Sequence, residues 1–279
     1  MITGKTKILG ILGYPVSHTL SPVMHNEAFR ASGLDYCYLP FKVAPERLLD
    51  AVGGIRALNI RGVNITVPHK ERIIPLLDHL DKEASLIGAV NTVVNKDGKL
   101  YGYNTDAKGF IKSLKEEGIM PGRKKVMILG AGGAARAVAF SLLLNGVKSI
   151  QIYNRTPEKA ETIVDFLNRV KSGIAKTAYA ITPLKDIDIL INATSLGLKK
   201  NDPLPIAPAF LCPGLIVYDL IYNPQKTGLL IEASRQGLKT ISGLGMLLWQ
   251  GVLSFRLWTG IEPPVEIMRK AIYRALRIR

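Results

Sequence analysis

The stretch VMILGAGGAARAVA, residues 126–139, constrains the chain more than any other segment. It reads as an apolar strand over 125–129, a glycine turn over 130–133 and an Ala/Leu-rich helix over 134–144. Gly130, Gly132 and Ala135 have the G-x-G-x-x-G/A spacing, between a strand and a helix as that fingerprint requires. The first glycine serves a tight turn, and the second lets backbone N–H groups approach a pyrophosphate. The third small residue lets the helix pack close on the strand. The dipole and free N–H groups of the helix start favour such an anion. The competing reading is a tight strand-to-helix turn that holds no ligand.

The next strand, 149–153, ends in Asn154-Arg155-Thr156, with no carboxylate to accept hydrogen bonds from ribose hydroxyls. A guanidinium cannot accept those bonds, but it pairs bidentately with a phosphate. Arg155 therefore points to NADP(H) as the dinucleotide.

Elsewhere β and α patterns alternate. Residues 7–13 (KILGILG) read as a buried strand. Ser21-Pro22 reads as an N-cap followed by proline, opening a helix through Ala31 that stops at Gly33. Strands are expected at 36–43 and 60–67, and a helix at 45–58 whose end Gly53-Gly54 weakens. Residues 89–94 and 100–103 flank Asn95-Lys96-Asp97-Gly98, a hairpin turn. The apolar runs 187–191 and 215–220 suit strands buried on both faces of a parallel sheet. Two α/β units thus meet between residues 104 and 124, without internal repeats.

The first unit places polar side chains beside apolar strands. Thr19 and Ser21 stand two apart in an extended, proline-flanked loop, so their hydroxyls can share a face. Asn64 and Thr66 repeat that spacing in GVNITVPHK, opposite Val63, Ile65 and Val67. Asn91 lies in GAVNT, and Asp106 in GYNTDAKGF at the junction of the units. Such amides and hydroxyls suit a ligand with several hydroxyls; taken singly, each also serves as a cap or turn residue. Lys70 follows Pro68, where the chain is expected to enter a helix. A ketone reduced by hydride needs a proton on its developing alkoxide, and a lysine ammonium can give it. Asp106 is the candidate partner that orients that ammonium.

The charge balance narrows the partners. The 37 Lys+Arg and 22 Asp+Glu give +15, of which residues 101–200 carry 16 basic and 8 acidic side chains, or +8. No basic stripe interleaved with aromatics appears, so nucleic acid is the remote reading. With 47% hydrophobic and 21% charged residues the chain is not disordered. Cys37 and Cys212 form neither a CxxC nor a zinc-spaced set, so no metal is expected. The uncharged run 8–26 is broken by Pro15, His18 and Pro22 and is no membrane span. A cytoplasmic protein of the reduced compartment is expected.

The motifs SHTLSPVMHN, GVNITVPHK, GAVNTVV, GYNTDAKGF, GAGGAARA, NRT, INATSLGL, DLIYNP and GMLLWQ together resemble the shikimate dehydrogenase family in order and spacing, over residues 8–255. The resemblance implies NADPH-dependent reduction of 3-dehydroshikimate to shikimate, on the route to chorismate and aromatic amino acids. It implies two α/β domains. A substrate domain of residues 1–104 is completed by returning C-terminal helices, 246–279, and a doubly wound, Rossmann-type NADP-binding domain spans 105–245. Lys70 and Asp106 become the catalytic pair, with Thr19, Ser21, Asn64, Thr66, Asn91, Tyr222 and Gln250 also on the substrate. Gly130, Ala131, Gly132, Gly133 and Ala134 would hold the pyrophosphate, and Asn154, Arg155, Thr156 and Lys159 the 2′-phosphate end. Thr194, Leu220, Gly243 and Met246 would line the nicotinamide end. Gln250 also stands out as the lone amide of an apolar helix over 246–255. The family usually has Ser-x-Ser where this chain has Thr19-x-Ser21, which leaves a broader quinate/shikimate dehydrogenase as the alternative. The partners implied are small molecules, with neither nucleic acid nor membrane, and a homodimer is the assembly kept open.

Overall fold

A computed structural model describes residues 2–278. The chain forms two compact units: one runs to Gly109 and resumes at Leu248, and the other is residues 110–247. The units divide at 109/110 and 247/248, within the helices that carry the chain from one to the other, a few residues beyond the 104/105 and 245/246 of the sequence reading.

The first unit contains β1 (Lys7–Gly13), α1 (Ser21–Ala31), β2 (Tyr36–Lys42), α2 (Leu48–Ala57), β3 (Gly62–Ile65), β4 (His79–Leu80), α3 (Lys82–Ile87), β5 (Thr92–Lys96), β6 (Lys99–Tyr103) and the start of α4 (Asp106–Glu116). Its sheet has the order β2-β1-β3-β5-β6-β4. The β1 strand pairs in parallel with β2 and β3, and β5 runs antiparallel to both β3 and β6. Asp97 and Gly98, at φ 52° and 82°, make the two-residue turn between β5 and β6, which needs positive φ at both positions.

Three local expectations change. Leu20, not Ser21, is the N-cap of α1: Ser21 is already its first residue, and its N–H donates to the Thr19 hydroxyl at 3.3 Å. The strand expected over 60–67 keeps only Gly62–Ile65, although the Thr66 N–H still donates to the Leu12 carbonyl and the Tyr14 N–H to the Val67 carbonyl, each at 2.9 Å; Pro68, with no N–H, can add no further ladder bond. The helix expected at 45–58 opens as a 3-10 turn, Pro45–Arg47, and continues as α2 to Ala57 with Gly53 and Gly54 inside it.

The second unit follows with β7 (Lys125–Leu129), α5 (Gly133–Leu144), β8 (Ser149–Tyr153), α6 (Pro157–Val170), β9 (Ala175–Ala178), β10 (Ile189–Asn192), β11 (Ile216–Asp219), α7 (Gly228–Arg235) and β12 (Lys239–Ser242). Then α8 (Leu244–Thr259) leads back to the first unit, which α9 (Val265–Ala275) completes by packing on α1. The returning part of α8 covers one face of the first sheet. A Cβ on Gly62 would lie 2.4 Å from Trp258 Nε1, which donates to the Val93 carbonyl at 3.0 Å. The opposite face packs Val63 and Ile65 into a core with Leu12, Ile55 and Leu100.

The second sheet is wholly parallel, in the order β12-β11-β10-β7-β8-β9. Its order reverses direction between β7 and β10, the switch point where such sheets bind ligands beyond their C-terminal strand ends. Register puts Tyr153, Leu129, Asn192, Asp219 and Ser242 in one row across five strands. The residues just past that row include the glycine turn, Asn154 to Thr156, Thr194, Leu220 and Gly243.

Candidate active site

In the first unit, Lys70 Nζ donates to Asp106 Oδ2 at 2.6 Å, with the two side chains 13% and 7% exposed. Lys70 does not enter a helix. It opens a single turn, and its carbonyl accepts from the Val90 N–H at 2.8 Å, which ties it to the segment that leads through Asn91 into β5 and draws it out of helical pairing. Asp106 is the first residue of α4.

Asn91 fixes the carboxylate. The Thr105 backbone N–H donates to Asn91 Oδ1 at 2.7 Å, so the amide nitrogen must face the other way. There Nδ2 donates to Asp106 Oδ1 at 2.9 Å and to Thr105 Oγ1 at 2.8 Å. Gln250 Oε1 lies 3.5 Å from the same nitrogen, at the outer limit of a hydrogen bond. Gly109 permits this approach of α8 to α4, for a Cβ there would sit 2.7 Å from the Gln250 backbone nitrogen.

Behind the pair lies a buried polar network that sequence reasoning missed. Thr92, Thr105 and Ser254 bring their hydroxyls within 3.3 Å of one another. Asn64 Nδ2 lies 3.0 Å from both the Asn91 carbonyl and Ser254 Oγ, and its Oδ1 accepts from Tyr38 at 2.7 Å. One signal was available: Ser254 follows Gln250 by four residues, on the same helix face.

The structure thus joins Lys70, Asp106, Asn91, Asn64 and Gln250. Thr19 and Ser21 pair with each other, their hydroxyl oxygens 3.3 Å apart. Thr66 packs its methyl over Gly13, where a Cβ would lie at 2.3 Å. Tyr222 belongs to the second unit.

In the second unit the three fingerprint positions have three different reasons for being small. Gly130 has φ +103°, and a Cβ there would meet the Ala193 carbonyl oxygen at 2.9 Å. Ala135 is fully buried where α5 leaves the sheet. Gly132 has no such internal reason: its φ is −91° and nothing lies within 4 Å of an added Cβ. The open space beside Gly132 fits a diphosphate approaching the start of α5, which no side chain caps. Gly133 and Ala134 form the first turn of that helix.

Arg155, Thr156 and Lys159 are exposed around the start of α6, and Asn154 Nδ2 braces the bend by donating to the Thr156 carbonyl at 2.8 Å. Neither Arg155 nor Lys159 has a side-chain hydrogen bond or ion pair among the described residues. Two unpaired cations there fit a terminal phosphate.

At the other end of the row, the Thr194 hydroxyl donates to Asn192 Oδ1 at 2.7 Å and accepts from the Leu196 N–H at 3.1 Å. Gly243 is pressed so close to Leu220 that a Cβ would sit 2.1 Å from its carbonyl oxygen. Met246 is buried. No group of three or more His, Cys, Asp or Glu able to hold a metal occurs among the described residues.

A doubly wound dinucleotide-binding unit, together with an α/β unit holding a buried lysine–carboxylate pair, defines a nicotinamide-dependent oxidoreductase. Residues 11–93 match the shikimate dehydrogenase substrate binding domain, 115–198 the shikimate/quinate 5-dehydrogenase family and 243–273 the shikimate 5′-dehydrogenase C-terminal domain. A shikimate dehydrogenase (NADP+) of Alkaliphilus metalliredigens is 48% identical, covering 97% of this chain and 98% of its own. A crystal structure of shikimate dehydrogenase in complex with NADP+ superposes with a TM-score of 0.93 at 46% identity, covering 99% of this chain and 98% of that one. The Thermus thermophilus enzyme in complex with NADP(H) and shikimate gives 0.88 at 39% identity, covering 97% of this chain and 100% of that one. The chain belongs to the shikimate dehydrogenase family.

Proposed function

We propose that the protein catalyses the reversible, NADPH-dependent reduction of 3-dehydroshikimate to shikimate in the shikimate pathway. The observation that carries this reading is the Lys70–Asp106 pair at 2.6 Å, held from behind by Asn91. When bound, NADPH supplies the hydride that adds to the ketone carbon. Lys70 gives the proton that converts the alkoxide into a hydroxyl, and it is left as a neutral amine beside the Asp106 carboxylate. In the reverse direction that amine takes the hydroxyl proton. Asp106 keeps the lysine nitrogen aimed, and Asn91 keeps Asp106 from turning.

Thr19, Ser21, Asn64, Thr66, Gln250 and Tyr222 are proposed to hold the substrate's hydroxyls and carboxylate. The residues 130–134 would hold the diphosphate, while Asn154, Arg155, Thr156 and Lys159 take the 2′-phosphate end. Thr194, Leu220, Gly243 and Met246 are proposed at the nicotinamide end. The +15 balance, more than half of it in residues 101–200, steers two anionic ligands rather than a nucleic acid. The assembly is proposed to be a homodimer and the location the cytoplasm. No helix among the described residues is long and apolar enough to cross a membrane.

A second reading stays open at Thr19. Threonine stands where the family usually has serine, in a loop that varies among relatives that also oxidise quinate, so breadth toward quinate is part of the test. Nicotinamide absorbance is followed with shikimate and with quinate, each under NADP+ and NAD+. Shikimate with NADP+ should give the highest kcat/KM. No turnover of shikimate under either cofactor would overturn the assignment, and equal rates on quinate would replace it with the broader enzyme.

A further inference from the structure

Asp219 is a fully buried carboxylate at the end of β11, and the proposed chemistry leaves it without a role. Burial pushes its carboxyl upward, while three donors favour the charged form. Thr227 Oγ1 donates to Oδ2 at 2.7 Å, and Asn192 Nδ2 and the Ile221 N–H each donate to Oδ1 at 3.0 Å. The Asn192 orientation is fixed independently, since its Oδ1 accepts from the Thr194 N–H at 3.1 Å and the Thr194 hydroxyl at 2.7 Å. Its Nδ2 also holds the Leu196 carbonyl at 3.1 Å. All three groups that reach the Asp219 carboxyl therefore donate, and only a carboxylate satisfies them all.

These bonds reach the positions assigned to the nicotinamide end. Through Asn192, Asp219 sets Thr194 and the loop 193–197. Through the Ile221 N–H it sets the segment 220–222, whose Ile221 carbonyl accepts from the Gly243 N–H at 3.1 Å. Thr227, its third partner, caps α7 by accepting from the Leu230 N–H. The adenosine-phosphate side, residues 154–156, follows β8, three strands away from β11 and so about 14 Å distant.

We propose that Asp219 is the positioning residue for the nicotinamide half of the cofactor site, organising Thr194, Leu220 and Gly243 while leaving the adenosine half untouched. The proposal rests on the NADP reading above and adds to it a residue that acts only through others.

The test compares two probes on the full-length protein: NADPH, which spans both halves, and 2′,5′-ADP, which carries only the adenosine half. Asp219→Asn puts an amide NH2 against at least one of the three donors. It should weaken NADPH about tenfold and lower kcat about a hundredfold, because misplacing a bound reactant by about 1 Å is enough for that. Affinity for 2′,5′-ADP should stay within about twofold, as for sites beyond 7–10 Å without shared partners. Thr227→Val removes one donor and should show a smaller loss in the same pattern; it carries the test where Asp219→Asn does not fold. Wild-type NADPH affinity and kcat in the variants, or equal weakening of both probes, would overturn the proposal. A wild-type protein that binds NADPH no better than 2′,5′-ADP and turns over no shikimate would overturn the cofactor reading and this proposal with it.

Discussion

Asp106→Asn separates a carboxylate that must accept on both sides from one that only fills space. Oδ2 accepts from the Lys70 ammonium at 2.6 Å and Oδ1 from Asn91 Nδ2 at 2.9 Å. Asn91 cannot turn to compensate, because the Thr105 N–H holds its Oδ1 at 2.7 Å. An asparagine offers one acceptor and one NH2, so either the ammonium or the Asn91 amide faces another donor. Losing a hydrogen bond to a charged group costs about 1.5–3 kcal/mol. If that loss falls on the aimed proton donor, kcat should drop about ten- to a hundredfold. Steady-state oxidation of shikimate by NADP+ reads kcat, and thermal unfolding checks that the variant is folded. A folded variant with kcat within about twofold of wild type would refute the claim that the carboxylate aims Lys70.

Gly132→Val probes the cofactor cradle without disturbing the fold. Nothing lies within 4 Å of the added Cβ and φ is already −91°, so Tm should hold while KM for NADP+ rises at least about tenfold. An unchanged KM would show that no diphosphate passes there. His25 predicts acid sensitivity. Its ring is fully buried, stacked on Tyr38 at 4.6 Å and edge-on to Trp258 at 5.3 Å, and neither ring nitrogen has a hydrogen-bond partner among the described residues. Burial lowers its pKa from 6.5 to about 3. The unfolded chain therefore binds the proton more readily, so the stability this neutral ring confers is complete above pH 6.5 and is lost as pH falls toward 3. Between about pH 6.5 and 4.5 the loss is roughly 2–3 kcal/mol. Urea unfolding should show His25→Phe losing that much less than wild type over the interval; parallel losses would sink the assignment.

The legibility of the fold followed burial. The strands β1, β7 and β8 have the same bounds in the structure as in the sequence reading, because each is a compact run with a clear punctuation mark after it. The edge strand β12, KTIS, has one buried residue and offers no apolar run to read. Lys70 misled in a different way: the proline before it suggested a helix start, while a long-range bond from Val90 decides its backbone. Asp106 and Asn91 were legible as polar residues in unusual company, yet the hydroxyls of Thr92, Thr105 and Ser254 were not. Serine and threonine are unremarkable in sequence, and only packing brings Ser254 to within 2.8 Å of Thr92 across 162 positions.

The central claim is that Lys70 is the proton donor and acceptor of a shikimate dehydrogenase reaction. Measuring kcat and shikimate KM together for Lys70→Ala tests it most directly. The account predicts that kcat falls about 10²–10⁴-fold with little change in KM, since the ammonium acts on the developing alkoxide more than on the bound substrate. A folded Lys70→Ala enzyme that turns over shikimate and NADP+ at nearly the wild-type rate would contradict it.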